Sequence, residues 1–235
     1  MSSESDMGRF WDERAREDAL FFVDDRLRYG EGDVEKFFAG GAEAVRIFEE
    51  QLDFRAEGAH LVDVGCGVGR LTRVLAGRAT KIVAIDVSAE MLKLAQEHNP
   101  QLGNVEWVLG DGASLTGIPD GWAHGVFSHV VFQHIPDPAI TLGYVREMGR
   151  VLAPGGWAAF QISNDPAVHH PRPGALGDRV QAWLRRGPRG RSNPAWVGSA
   201  VRIEDLRRTT DAAGLDVVET VGEGTQYCLV RLRKR

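Results

Sequence analysis

The run Leu61-Val62-Asp63-Val64-Gly65-Cys66-Gly67-Val68-Gly69-Arg70 constrains this chain more than any other feature, because a short apolar strand pattern meets three alternating glycines and then a helical pattern. Glycine has no Cβ, so such a turn can be tight and can present backbone N–H groups at the positive end of the following helix. Asp63, two residues before the first glycine, is unsuited to a phosphate and suits a ligand bearing an ammonium group. The spacing also departs from the dinucleotide pattern G-x-G-x-x-G, which needs a small residue where Arg70 stands. Asp63 and Arg70 together disfavour an NAD-linked oxidoreductase.

Bulk properties narrow the class. At 235 residues, 43% hydrophobic and 26% charged, the chain reads as one globular domain with decorations. A formal net charge of -5 gives no general attraction to nucleic acid. No run is apolar and long enough to span a bilayer, and the polar start lacks the apolar stretch of a signal peptide, so a cytoplasmic location is expected. Cys66 and Cys228 match no metal spacing and are expected to be reduced and packed. The excess of arginine over lysine, with many Ala and Gly, suggests a GC-rich bacterial source.

Apolar periodicity predicts amphipathic helices within 7–55, then strand-like runs alternating with helices. Strands are expected at 60–64, 81–85, 105–109, 124–128 and 157–162. Helices are expected at 69–77, 89–98 and 138–152, with a short one after 109. Asp137-Pro138 reads as an N-cap with proline at the first helical position, and Pro154-Gly155-Gly156 as a turn. A Pro-, Gly- and Arg-rich stretch from 164 to 199, with a helix near 176–184, reads as an insertion over the site. A helix at 203–213, Gly214 as its cap, and strands at 215–221 and 225–232 joined by Gly222-Glu223-Gly224 close the chain. The expected division is a lid over 1–55, a core over 56–163, the insertion over 164–199 and a C-terminal unit over 200–235. This alternation gives an α/β fold with a mostly parallel sheet and helices on both faces.

Ligands of open parallel sheets lie beyond the carboxyl ends of the strands. Asp86 closes the second strand, where a carboxylate can accept both hydroxyls of a ribose, and Val87 follows it. Gly110-Asp111-Gly112 closes the third, where an acid between glycines can accept from an adenine amino group. Met91, a turn into the next helix, can cover an adenine face. These residues, with Arg150-Val151-Leu152-Ala153-Pro154-Gly155-Gly156 before the fifth strand, resemble the class I S-adenosylmethionine-dependent methyltransferases, in particular the small-molecule group, over about residues 42–232. The resemblance implies a Rossmann-like seven-stranded sheet of order 3-2-1-4-5-7-6 with strand 7 antiparallel. It implies S-adenosyl-L-methionine as cofactor, and Gly65, Cys66, Gly67 and Arg70 around its methionine part with Asp63 near the amino group. It also places Trp11 as a closing aromatic.

Methyl transfer from a sulfonium is an in-line displacement whose main demand is alignment. The segment from Ser128 to Pro136 would wall the methyl group, with Ser128 and His129 contributing to the cofactor pocket. His134 is the candidate base or orienting group. Relatives commonly carry histidine there, so holding the loop is the alternative role. His169-His170 reads as a solvated pair, and no metal is expected. The aromatics Phe10, Trp11, Phe21, Phe22, Tyr29, Phe37, Phe38, Trp183 and Trp196 supply lid packing or an acceptor pocket. The basic loop at 185–191 reads as solvated, because the Asn/Asp-Pro-Pro-aromatic motif of base-flipping amino methyltransferases is absent. The expected partner is a small-molecule methyl acceptor, through oxygen or nitrogen and in bacterial secondary metabolism, with no nucleic acid and no membrane. A homodimer is left open. A nucleic-acid or protein methyltransferase, or a non-catalytic binding protein on the same fold, are the competing readings.

Overall fold

Successive residues along the central strands enter two different cores, as a sheet covered on both faces requires. The computed structural model describes residues 3–24, 26–169 and 193–235, with side chains from residue 6. The expected helix at 176–184, His170, Trp183 and the loop at 185–191 lie outside the described residues. Seven strands, β1 (His60–Val64), β2 (Lys81–Asp86), β3 (Val105–Leu109), β4 (Ala123–Ser128), β5 (Leu152–Ile162), β6 (Leu215–Val221) and β7 (Cys228–Lys234), form one sheet. Their order is β3-β2-β1-β4-β5-β7-β6, with β7 antiparallel to both neighbours, as the resemblance implied. Val62, Val64, Val83, Ile85 and Val126 face α5 (Pro138–Val151), packing with Val145, Met148 and Val151. Leu61, Ile82, Ala84 and Phe127 face the other way, onto Phe48 and Leu52 of α2 (Val34–Leu52) and Leu71 and Leu75 of α3 (Arg70–Ala76).

The chain leaves β1 toward β2 and β3 on one side and returns through β4 to the other. The crevice beyond the ends of β1 and β4 is therefore the switch point of the sheet. The N-terminal segment lies over this end. It is two helical stretches, together α1 (Ser3–Val23), that meet at a kink at Asp18, whose carboxylate accepts from the backbone N–H groups of Phe21 and Gly30. Asp12 fixes α1 to α4 (Ala89–His98) by accepting from Ser88 Oγ at 2.7 Å and from the Glu90 N–H at 3.1 Å.

Three local expectations are corrected. No helix follows β3, because Gly117 and Gly121 take positive φ and the Arg150 guanidinium occupies the carbonyl oxygens of Leu115 and Ile118. β5 starts at Leu152 rather than after the Pro-Gly-Gly turn. Its pairing with β4 jumps from Ala123–Leu152 to Gly125–Trp157, so the turn is a bulge within the strand. β7 begins at Cys228, since Thr225 is held in the hairpin turn by its N–H and hydroxyl on the Gly222 carbonyl. The last full helix, α7 (Ile203–Ala212), ends with Gly214 at φ 70, as its cap role required; the short α6 (Pro194–Val197) precedes it.

Candidate functional site

Gly65, Gly67 and Gly69 take φ values of 71, 53 and 80, the left-handed region that other residues rarely enter. At Gly65 the need is also steric, since a Cβ would lie 2.4 Å from Val131 Cγ2 in the loop after β4. The turn is thereby packed directly against that loop. Its N–H groups at Gly65 and Cys66 both donate to the Ile85 carbonyl, which ties the end of β1 to β2.

Two buried carboxylates stand beside the turn. Asp63 accepts from Thr72 Oγ1 at 2.6 Å, and burial pushes its carboxyl up to about 7, with the nearby Asp86 charge adding to the effect of burial. Asp86 accepts from the Gly67 N–H at 2.8 Å and from the Ser88 N–H at 2.9 Å. Burial still holds it at about 6 despite those donors. Two neighbouring carboxylates with raised pKa values, neither of them paired with a cationic side chain among the described residues, form a place for a ligand's positive charge, which would favour both anions. The Cys66 thiol lies between them in the turn, and burial pushes its pKa well above the usual value.

After β4 the backbone is strained. Val130 has φ 57, an outlier for a β-branched residue, and this redirects the chain into the short 3-10 turn Phe132–His134. His134 Nδ1 lies 2.9 Å from the Trp196 carbonyl, and its ring meets Trp11 and Trp196 at centroid distances of 5.5 and 5.3 Å. The segment that follows Trp196 of α6 crosses close by, since a Cβ on Gly198 would collide with the Gln133 carbonyl, and Ser199 Oγ donates to the Ile135 carbonyl.

These elements enclose a cleft of about 1040 Å³, its mouth included. Of the sequence-predicted residues, Trp11, Asp63, Gly65, Cys66, Gly67, Arg70, Asp86, Val87, Met91, Gly110, Gly112, His129 and His134 line it. Asp111 and Ser128 do not. The Asp111 carboxylate is exposed and turned into its own loop, accepting from the Ala113 and Ser114 N–H groups at 2.8 Å each, which leaves the two glycines as the wall. Ser128 is fully buried, and its hydroxyl donates to the Val64 carbonyl between β4 and β1. Met91 is both a wall of the cleft and part of the core under α1. Among the aromatics, Phe22 and Trp11 reach the cleft, while Phe37 and Phe38 are packed with Met91 and Ala19.

A second, larger cavity of about 1720 Å³ on the same measure adjoins the first under α2. The two share Phe22, Val23, Arg70, His129, Val130 and His134, which mark their junction. His169 lines the larger cavity and is buried rather than solvated, with burial lowering its pKa. Sequence reasoning missed three contributors: Thr72 as the partner of Asp63, Asp24 as the partner of Arg70 at 2.6 Å, and Gln133 beside His134. A Thr one turn into the helix after the glycines was the only available sign of the first. Among the described residues, no group of three or more His, Cys, Asp or Glu side chains could hold a metal ion, and no helix is long and apolar enough to cross a membrane.

Residues 62–160 match the methyltransferase domain family. The ubiquinone biosynthesis O-methyltransferase of Thiobacillus denitrificans is 29% identical over 174 residues, covering 73% of this chain and 71% of that relative. The 2-phytyl-1,4-naphtoquinone methyltransferase of Thermosynechococcus vestitus is 32% identical over 130 residues, covering 54% of this chain and 53% of that one. Among solved structures, the magnesium protoporphyrin IX methyltransferase of Synechocystis, determined with bound SAH, superposes with a TM-score of 0.65 over 100% of both chains at 16% identity. Residues 62–160 thus form a methyltransferase domain, and the strand order and the glycine turn are similar to those of the S-adenosylmethionine-dependent enzymes.

Proposed function

We propose that this enzyme transfers the methyl group of S-adenosylmethionine to a hydroxyl or amino group of a small, partly aromatic molecule, without a metal. The observation that carries this reading is the junction of two cavities, one beyond the β1 and β4 ends and one beneath α2, at Arg70, His129, Val130 and His134. One cavity suits the donor and the other an acceptor.

The first cleft fits the cofactor in its own chemistry. Asp63 and Asp86 supply buried negative charge for an ammonium and for ribose hydroxyls, and each Asp86 oxygen keeps a lone pair beyond its backbone bond. Gly65 and Gly67 leave room that a side chain would fill, Met91 and Val87 offer an apolar wall for a flat base, and Gly110 and Gly112 let such a base approach the backbone. S-adenosylmethionine supplies an activated methyl on sulfur. The protein then has to align the acceptor with that methyl and exclude water, which together account for much of such a barrier.

Trp11, Phe22 and Trp196 close the junction from α1 and α6, in keeping with a lid over residues 1–55. His134 orients this wall through its bond to the Trp196 carbonyl. The 2-phytyl-1,4-naphtoquinone methyltransferase among the relatives supports a ring-bearing acceptor, and the ubiquinone biosynthesis O-methyltransferase supports oxygen as the accepting atom. A cytoplasmic setting suits the two free, buried cysteines.

Calorimetric titration with S-adenosylhomocysteine and with NAD tests the donor, and transfer of labelled methyl groups into extract fractions tests the acceptor. Binding of S-adenosylhomocysteine with no response to NAD is expected. Tight NAD binding with no response to the adenosyl ligand would overturn the reading.

A further inference from the structure

Four charged side chains line the larger cavity among the described residues: Asp24, Arg26, Glu43 and Arg70. Glu43 is engaged by the exposed Arg46, with Oε2 accepting at 2.9 Å and Oε1 at 2.6 Å. The other three form one cluster. Asp24 Oδ2 accepts from Arg26 Nη2 and from Arg70 Nη1 at 2.6 Å each, and Asp24 Oδ1 accepts from Arg26 Nε at 2.7 Å. Two guanidiniums thus share one carboxylate, and the cluster keeps an excess of positive charge.

The members of the cluster stand differently toward solvent. Arg70 and Asp24 are buried, whereas the Arg26 side chain is 68% exposed. Asp24 takes the Nε–Nη2 edge of that guanidinium, one of the two edges through which an arginine can clasp a carboxylate. The positive excess is felt at the cavity junction. Burial is the main reason that the His129 ring stays neutral down to about 4, but next come the charges of Arg70 and Arg26, and only after them the opposing charge of Asp24. Beside this charge the same cavity has apolar walls: Ile47 and Phe48 from α2, Trp196 from α6, and Tyr227 just before β7. A ligand matching both kinds of surface has an apolar ring and an anionic group. A cation there would be repelled, and a phosphate would bring more negative charge than the excess can balance. A carboxylate brings a single charge.

We infer that the larger cavity takes a methyl acceptor bearing a carboxylate on its ring, and that Arg26 is the residue that selects it, with buried Arg70 adding to the field; this rests on the methyl-transfer reading above. The carboxylate is a handle and not the methylated group, because Arg26 lines the larger cavity alone and the cofactor cleft does not include it. Held there, the ring can present another substituent through the junction toward the first cleft. Asp24 fixes the guanidinium of Arg26 in place, so less side-chain freedom is lost when the ligand binds.

The test uses the full chain saturated with S-adenosylhomocysteine and titrated by calorimetry at neutral pH with 2-naphthoate and with 2-naphthamide. The two probes have nearly the same shape and differ in charge. Naphthoate is expected to bind about tenfold more tightly than the amide, with a gap that narrows as salt is raised. Arg26→Gln should bring naphthoate down to the level of the amide while leaving the affinities for the amide and for S-adenosylhomocysteine within about twofold of wild type. Arg26→Lys, which keeps the charge without the planar fork, should show an intermediate gap. Equal affinities for the two probes in wild type, a gap that survives Arg26→Gln, or binding of neither probe would overturn the inference. Failure of the wild-type chain to bind S-adenosylhomocysteine would instead overturn the methyl-transfer reading.

Discussion

The Asp86 carboxylate reaches back from the end of β2 to accept the Gly67 N–H at 2.8 Å, while its second oxygen accepts the Ser88 N–H at 2.9 Å. One side chain thus holds the glycine turn and the start of α4 in a single arrangement. An amide cannot replace it, because Asn has one acceptor and would aim its NH2 at one of two backbone donors. Both Asp86→Ala and Asp86→Asn should therefore weaken S-adenosylhomocysteine binding, by about 1–3 kcal/mol each. Calorimetry decides this, and an Asn variant that binds like wild type would remove Asp86 from the proposed ribose contact.

Asp63 gives a pH signature of opposite sign to an ordinary salt-bridged acid. Its folded pKa of about 7 lies above the usual carboxylate value, so its contribution to stability is fully present below about pH 4 and is lost as pH rises to about 7. Asp86 acts in the same direction over a narrower window, up to about 6. Asp63→Asn, whose carbonyl can still accept from Thr72, should then gain stability over wild type as pH rises, reaching on the order of 2–4 kcal/mol above about pH 7. Melting curves across this range check it, and parallel curves for the two proteins would refute it. Cofactor binding should also release protons near neutral pH, seen as a buffer-dependent binding enthalpy.

Gly65 and Val131 form a pair that a double-mutant cycle can separate. Gly65→Ala adds a Cβ 2.4 Å from Val131 Cγ2 at a residue whose φ is 71, so it carries both a clash and backbone strain. The single variant should lose about 2–4 kcal/mol of stability. Adding Val131→Ala should recover the clash but not the strain, so roughly half the loss is expected to remain. Full recovery in urea unfolding would show that the backbone conformation matters less than the contact.

Local chemistry made the sheet legible, and long-range pairing hid parts of the site. The alternation of Leu61/Val62 and Ile82/Val83 between two cores is written in the strands themselves. So is the cap at Asp137, which accepts from the Ala139 N–H as its residue type suggests. Asp111 shows the limit. Its flanking glycines suggested a ligand contact, yet Ala113 and Ser114 follow closely enough for the carboxylate to close on its own loop. Arg70 was legible as a break in the dinucleotide pattern, but its partner Asp24 lies in a separate segment after α1, which no local pattern connects to it. Likewise Gln161 on β5 meets Gln133 only because β4 and β5 are neighbours in the sheet.

The Asp24–Arg70 pair should respond unequally to the loss of its two members. Both are buried, with Arg70 Nη1 2.6 Å from Asp24 Oδ2 and the guanidinium over the Phe37 ring at 5.3 Å. Asp24 has a second cation, Arg26, at 2.6 Å, and although burial works against its charge, Arg26 and Arg70 together hold its carboxyl below the usual range. Arg70→Met would leave Asp24 still paired and retain much of the packing on Phe37. Asp24→Asn would leave Arg70 as a buried cation facing an amide. The second change should be the more damaging, by roughly 3 kcal/mol against 1–2 for the first, because an uncompensated buried charge is the larger penalty. Since the folded pKa of Asp24 is lowered, its contribution is present above about pH 4 and lost as pH falls through that lowered value, so the Asp24→Asn penalty should shrink at strongly acid pH. Urea unfolding of both single variants and the double variant at neutral and acid pH measures all three quantities. Equal losses in the single variants would mean that solvent or a relaxed side chain shields Arg70 once Asp24 is gone.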